Sequence, residues 1–227
     1  MNRIVLLTIS LAFLHGRAAE PPPLSADEIL RRVEHENGRR RELLKEYSGS
    51  RRYTLLNGRF GKEAAVAIEM KYRDADGETF TVVTQSGSDK LVGIINSVLA
   101  SESHASAPAE QSQHQLSAAN YRVHLLGTES VDGRTCFVLA LAPRMKAQFL
   151  IVGKAWVDAE SFGTVRLEGQ FASSVSILLG APHLREDYVE VSGFWLPGHV
   201  HSITSSLLLG QSDLDIIFSN YQLTPAL

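Results

Sequence analysis

Gln148-Phe-Leu-Ile-Val-Gly-Lys-Ala-Trp-Val-Asp158, then Ala159-Glu-Ser-Phe-Gly163, then Thr164-Val-Arg-Leu-Glu-Gly-Gln-Phe171 form two patterned runs joined by a short polar connector. Its second run alternates strictly, with Thr164, Arg166, Glu168 and Gln170 on one side and apolar residues on the other. The first places Phe149, Ile151, Gly153, Ala155 and Val157 on one face and Leu150, Val152 and Trp156 on the other. A period of two with a short polar connector is an antiparallel hairpin with one buried face.

Working outward, the same period recurs. Ala64, Val66, Ile68, Met70 and Tyr72 alternate with Glu63, Glu69, Lys71 and Arg73, and the turn Asp74-Ala75-Asp76-Gly77 leads to Phe80, Val82 and Thr84. Residues 51–57, 121–127, 134–142, 185–191, 198–209 and 213–221 read as further strands. About ten strands with hairpin-length connections indicate an α+β domain, a curved antiparallel sheet with one face consistently apolar and helices covering it. Cys136 lies inside an apolar strand, reads as a buried inert thiol, and as the single cysteine cannot form an internal disulfide.

Three segments break the period. Ser25-Ala26-Asp27-Glu28 reads as a capping box opening a helix, with apolar residues at Ile29, Leu30, Val33, Leu43, Leu44 and Tyr47. The arginines at 39–41 invite a nucleic-acid reading, but six basic residues from Arg31 to Lys45 face six acids from Asp27 to Glu46, the pattern of a solvated helix face. From Lys90 to Ser101 the spacing of Leu91, Val92, Ile94, Ile95, Val98 and Leu99 is that of an apolar helical stripe. Residues 101–119, rich in Ala, Ser and Gln, read as a mobile-looking stretch, and with the stripe they make a helical insertion of about 88–119.

The N-terminus pairs Arg3 with an apolar run from Ile4 to Leu14 and small residues from Gly16 to Ala19, the layout of a secretory signal cleaved after Ala18. That run is shorter than the roughly 20 residues a membrane span needs. No cysteine adjoins the cleavage point, so no lipid anchor is expected there. Residues 19–24 read as a Pro-rich spacer and 25–227 as a single domain. The formal net charge of −3 becomes more negative when Arg3 and Arg17 are removed, which disfavours nucleic-acid binding.

The order of motifs Glu129-Ser-Val-Asp-Gly-Arg134, Cys136-Phe-Val-Leu139, Pro143, Gly153-Lys-Ala-Trp-Val-Asp158, Arg166-Leu-Glu-Gly169 and Phe194-Trp-Leu-Pro197 resembles the family of periplasmic lipoprotein carriers and sorting factors that includes LolA and LolB. The resemblance implies a half-barrel whose concave apolar face, covered by helices, receives acyl chains of lipoproteins or lipids. Carried onto this sequence, it implies a cavity lined by Val66, Ile68, Met70, Phe80 and Val82 from the first strands. Leu139, Leu141, Phe149, Ile151, Val165, Leu167 and Phe171 would line it from the later ones. Leu91, Ile94, Ile95 and Val98 would form the lid. It further implies a periplasmic monomer that touches membranes only transiently. The loop 172–182 brings its own apolar group, Val175, Ile177, Leu178 and Leu179. A regulatory or scaffolding module of the same fold, binding another envelope protein, is the alternative.

Enzymatic readings are weaker. There is no Gly-x-Ser-x-Gly nucleophile elbow. His199 and His201, two apart on one strand face, could share a zinc or copper ion with His183 or the Asp213/Asp215 pair. The plainer reading, polar strand-face histidines, is preferred, and no cofactor, metal or enzymatic activity is expected.

Overall fold

The computed structural model describes residues 24–147, 149–173, 182–206 and 210–225. The expected signal at 1–18, most of the spacer and the apolar group at 175–179 lie outside the described residues. Among the described residues no helix is long and apolar enough to cross a membrane.

Helix α1 (Ala26–Leu43) opens as its sequence indicates: Ser25 Oγ accepts from the backbone N–H of Glu28 at 3.2 Å, with Asp27 and Glu28 in the first turn and Arg40 and Arg41 in the last. It buries Ile29, Leu30 and Val33. The helix passes without a loop into β1 (Leu44–Asn57), so Leu44 and Tyr47 belong to the strand. Helical spacing was outweighed here because β1 gains a ladder partner on each side, β2 (Lys62–Arg73) and β10 (Gly210–Pro225).

β3 (Gly77–Gly87) completes the first hairpin, and α2 (Asp89–Ala105) and α3 (Pro108–His114) follow. Then come β4 (Tyr121–Val131), β5 (Arg134–Pro143), β6 (Ile151–Asp158), β7 (Thr164–Phe171), β8 (His183–Val191), β9 (Phe194–Ser206) and β10. All belong to one open antiparallel sheet ordered β3-β2-β1-β10-β9-β8-β7-β6-β5-β4. This is the curved ten-stranded sheet with an N-terminal helix that the sequence indicates.

One ladder row crosses the whole sheet: Gln85, Val66, Tyr53, Ile216, Val200, Glu186, Leu167, Ala155, Leu139 and Leu125 are successive partners. Directly opposed side chains share a face, so this row defines the helix-bearing, concave side. On one wing α2 covers it, burying Leu91, Ile95 and Leu99 against Tyr53, Val66, Ile68, Met70 and Ile216. On the other, Ile29 and Val33 of α1 pack on Tyr121, Leu139, Leu141, Leu150, Ala155 and Val157. Each fully buried aliphatic side chain contributes about 1.5–3 kcal/mol.

Three expectations need correction. The opposite face is not uniformly polar: Val131, Cys136, Val138, Trp156 and Val165 form a third buried cluster there, with Trp195 packed against it. Val165, expected in the cavity, lies on that side because a bulge intervenes: Trp156 pairs with Arg166 and Val157 with Thr164, skipping it. Second, β6 begins at Ile151, and Phe149 sits in a turn with φ of 66°, so Leu150 enters the core in its place. Third, residues 101–119 carry more regular structure than their polar, low-complexity composition indicates. α3 forms, and Asn120 Nδ2 donates to the carbonyls of Ser112 and Gln115, each at 2.9 Å.

Candidate functional site

Among the described residues the two helix-covered wings do not meet. Apolar packing around α1 ends at Leu167 on β7, and that around α2 ends at Val200 on β9. β8 lies between these strands and, among the described residues, supplies neither cluster. Among the described residues the middle of the concave face is therefore a gap floored by β8, where Glu186 stands between Leu167 and Val200. All three keep part of their surface accessible.

In the adjoining row Gly153 and Gly169 face each other across β6 and β7, followed by Leu184 and Ser202. A Cβ on Gly153 would stand 2.0 Å from the Glu168 carbonyl oxygen, so this close strand approach requires glycine.

Electrostatically the gap is unusual for an apolar surface. Burial raises the Glu186 carboxyl to about 7; nearby Glu102 pushes it the same way, while a hydrogen bond with Tyr188 and the charge of Arg51 oppose it. Burial also raises the Tyr188 phenol well above its ordinary value. Beside the gap, Arg51 forms an ion pair with Glu78 and donates from Nη1 to Glu102 Oε2 at 3.1 Å, and Tyr53 Oη donates to the same oxygen at 2.6 Å. Burial raises the carboxyls of Glu78 and Glu102, against the attraction of Arg51. Glu102 lies on α2, so these contacts fix the helix to the sheet; Ser103 Oγ adds a bond to the Glu78 carbonyl at 2.9 Å.

At one end the gap is narrowed by an aromatic bridge. Phe149 meets His114 edge-on at 5.2 Å and Phe171 at 5.8 Å, and a cleft of about 240 Å³ lies between Phe149 and Ala100, Ser101 and His104 of α2. That is smaller than the roughly 300–1,000 Å³ of ordinary small-molecule pockets. A cleft of about 480 Å³ at the sheet rim, lined by Lys62, Glu63, Gly87, Ser88, Asp89 and Lys90, is too polar for an acyl chain.

The residues expected to line a cavity thus divide. Val66, Ile68 and Met70, with Phe80 packed at their margin, are core beneath α2, whereas Leu139 and Leu141 are core beneath α1. Ile151 is buried at the start of β6. Val82 faces Ile68 across a bulge but is 41% exposed near the free edge. Leu167, Phe149 and Phe171 border the gap. Of the lid set, Leu91 and Ile95 are buried and Val98 half-buried, but Ile94 is 40% exposed. At 100° per residue the buried stripe centres on Ile95 and leaves Ile94 on the flank it shares with Ser101.

Glu186, Tyr188 and the Arg51–Glu102 contact were not singled out from sequence. The parity of Leu184, Glu186 and Tyr188 on β8 was the available signal, since it places an acid in line with a buried leucine.

On the convex face His199 Nε2 lies 2.7 Å from Asp215 Oδ1 and His201 Nε2 lies 2.8 Å from Asp213 Oδ1. His183 pairs with Ile203 and does not join the close group of His201, Asp213 and Asp215.

No family model and no curated protein matches the sequence. Among solved structures the chain is similar to a LolA superfamily protein from Nitrosomonas europaea, at 13% identity over 90% of this chain and 96% of that one, with a TM-score of 0.44. It is also similar to a domain from Vibrio parahaemolyticus provisionally described as an outer membrane lipoprotein-sorting protein, at 12% identity over 87% and 93%, TM-score 0.48. A third likeness is to the MucA/MucB complex of Pseudomonas aeruginosa, at 13% identity over 88% and 99%, TM-score 0.29.

Proposed function

We propose that this chain is a periplasmic carrier or sorting factor that holds acyl chains of lipoproteins or lipids in the gap over β8, and that it catalyses no reaction. The observation that carries this reading is the ladder row Ile216, Val200, Glu186 and Leu167, in which aliphatic side chains flank one acid and which, among the described residues, crosses between the two helix-covered wings without a helix over it. Each methylene buried there would contribute about 0.8 kcal/mol. Because the cleft beside Phe149 is only about 240 Å³, a long chain enters by displacing Phe149 or the exposed flank of α2 that carries Ile94. The expected seat is therefore the gap and not the cores beneath the helices.

Gentle purification followed by native mass spectrometry, lipid extraction and displacement of a fluorescent fatty acid tests this. Bound acyl lipid, with probe affinity lost in Leu167→Glu and retained in Val83→Glu on the sheet edge, is the expected outcome. A folded protein that carries no lipid and ignores the probe sinks the proposal.

A second reading, a module that binds another envelope protein, is favoured by β3. This edge strand is exposed along most of its length and presents Val82 and Val83 at 41% and 57% exposure, a surface to which a partner strand can add. Slowed amide exchange confined to β3 when a partner is present would support it.

A further inference from the structure

The convex face holds an arrangement that lipid carriage does not use. His199 and His201 project from β9 and Asp213 and Asp215 from β10, each pair two residues apart and therefore on one face of its strand. The strands are in register with His201 directly opposite Asp215. The ligand atoms of His201, Asp213 and Asp215 all lie within 4.8 Å of one another, and His199 reaches Asp215 at 2.7 Å.

We propose that His201, Asp213 and Asp215 bind a divalent transition-metal ion, Zn²⁺ by their chemistry, with His199 as a positioning residue for Asp215. One neutral imidazole and two carboxylates neutralise a +2 ion, and this mixed N/O set suits zinc better than the oxygen-only sites of magnesium or calcium. With bonds of roughly 2.0–2.1 Å, neighbouring ligands in a tetrahedral site stand about 3.3 Å apart. The 2.8 Å His201–Asp213 contact has only to widen by a small side-chain adjustment.

The ladder supplies rigid placement, because both His-x-His and Asp-x-Asp spacings are fixed by the strand pleat. Among the described residues no lysine or arginine forms an ion pair with either aspartate. Arg185, which faces His201 from β8, is turned to Asp187 at 2.8 Å. The side chains of His201 and Asp213 are 37% and 33% exposed, so a metal's fourth position would open to water. His199 holding Asp215 is the outer-shell contact that orients ligands in protein metal sites. The alternative is two cross-strand His–Asp pairs that stabilise the sheet and bind nothing.

Equilibrium dialysis of the full chain, free of any histidine tag and stripped with a chelator, against ZnCl₂ with elemental analysis distinguishes them. The expected result is one Zn²⁺ per chain and a rise in Tm on adding Zn²⁺ that Mg²⁺ does not reproduce. His201→Ala and Asp213→Asn should each weaken binding more than about 100-fold, and His199→Ala by about 10-fold. Failure to retain Zn²⁺, or retention unchanged in a folded His201→Ala/Asp213→Asn double variant, overturns the site.

Discussion

Glu186 on β8 and Leu167 on β7 stand directly opposite each other at the centre of the concave face, an acid and an aliphatic side chain as ladder partners between the two helix-covered wings. The Glu186 carboxyl is raised from 4.5 to about 7, chiefly by burial. The folded protein therefore holds a proton that the unfolded chain releases, and stability falls as pH rises. The loss spans the window from about 4.5 to about 7 and amounts to at most about 3 kcal/mol. Chemical denaturation at pH 5 and pH 8 should show it, and Glu186→Gln should flatten the dependence and be the more stable protein at pH 8.

Removing Arg51 should be far more damaging than removing a surface arginine. It would strand Glu78 and Glu102 without their cation, at a cost of about 3–5 kcal/mol. Arg51→Ala should lower the denaturation midpoint accordingly and speed amide exchange throughout α2, while Arg31→Ala, on the exposed face of α1, should change stability by less than about 0.5 kcal/mol.

Two glycine substitutions should act in opposite directions. Gly153→Ala places a methyl 2.0 Å from the Glu168 carbonyl oxygen and forces β6 and β7 apart, so severe destabilisation is expected. Gly38 lies inside α1 with nothing within 4 Å of an added Cβ, and Gly38→Ala should stabilise by about 0.5–1 kcal/mol. Thermal melts of both variants decide the matter.

Phe149 and Leu150 are neighbours with different duties. Leu150→Ala empties a fully buried site and should cost about 2–5 kcal/mol. Phe149→Ala removes the bridge between His114 and Phe171 and should cost less while increasing fluorescent fatty-acid binding, as titration of both variants would reveal.

Much of the architecture was legible in sequence because period-two alternation survives in nearly every strand, and Thr164–Phe171 has the very bounds its pattern implies. The misplacements share a cause. A bulge opposite Trp156 and Val157 turns Val165 to the other face, and the positive φ at Phe149 exchanges it with Leu150. Both are single-residue departures that counting parity along a strand passes over. The gap was less legible still. Whether Val66 or Leu139 lines a cavity or fills a core depends on how far each helix reaches across the sheet, a tertiary relation with no local periodicity. The acid at its centre became meaningful only through ladder partners drawn from residues far apart in the chain.

The position of β10 between β1 and β9 bears on how the molecule is made. The first three strands can pair as they emerge, and β4 to β9 can zip up in order, but the seam between these two groups is closed only by the last strand formed. Among the described residues the two groups share no ladder without β10, so a chain shortened by that strand would lose the hydrogen bonding between them and keep the packing of α1, which runs into β1, on the wing formed by the later strands.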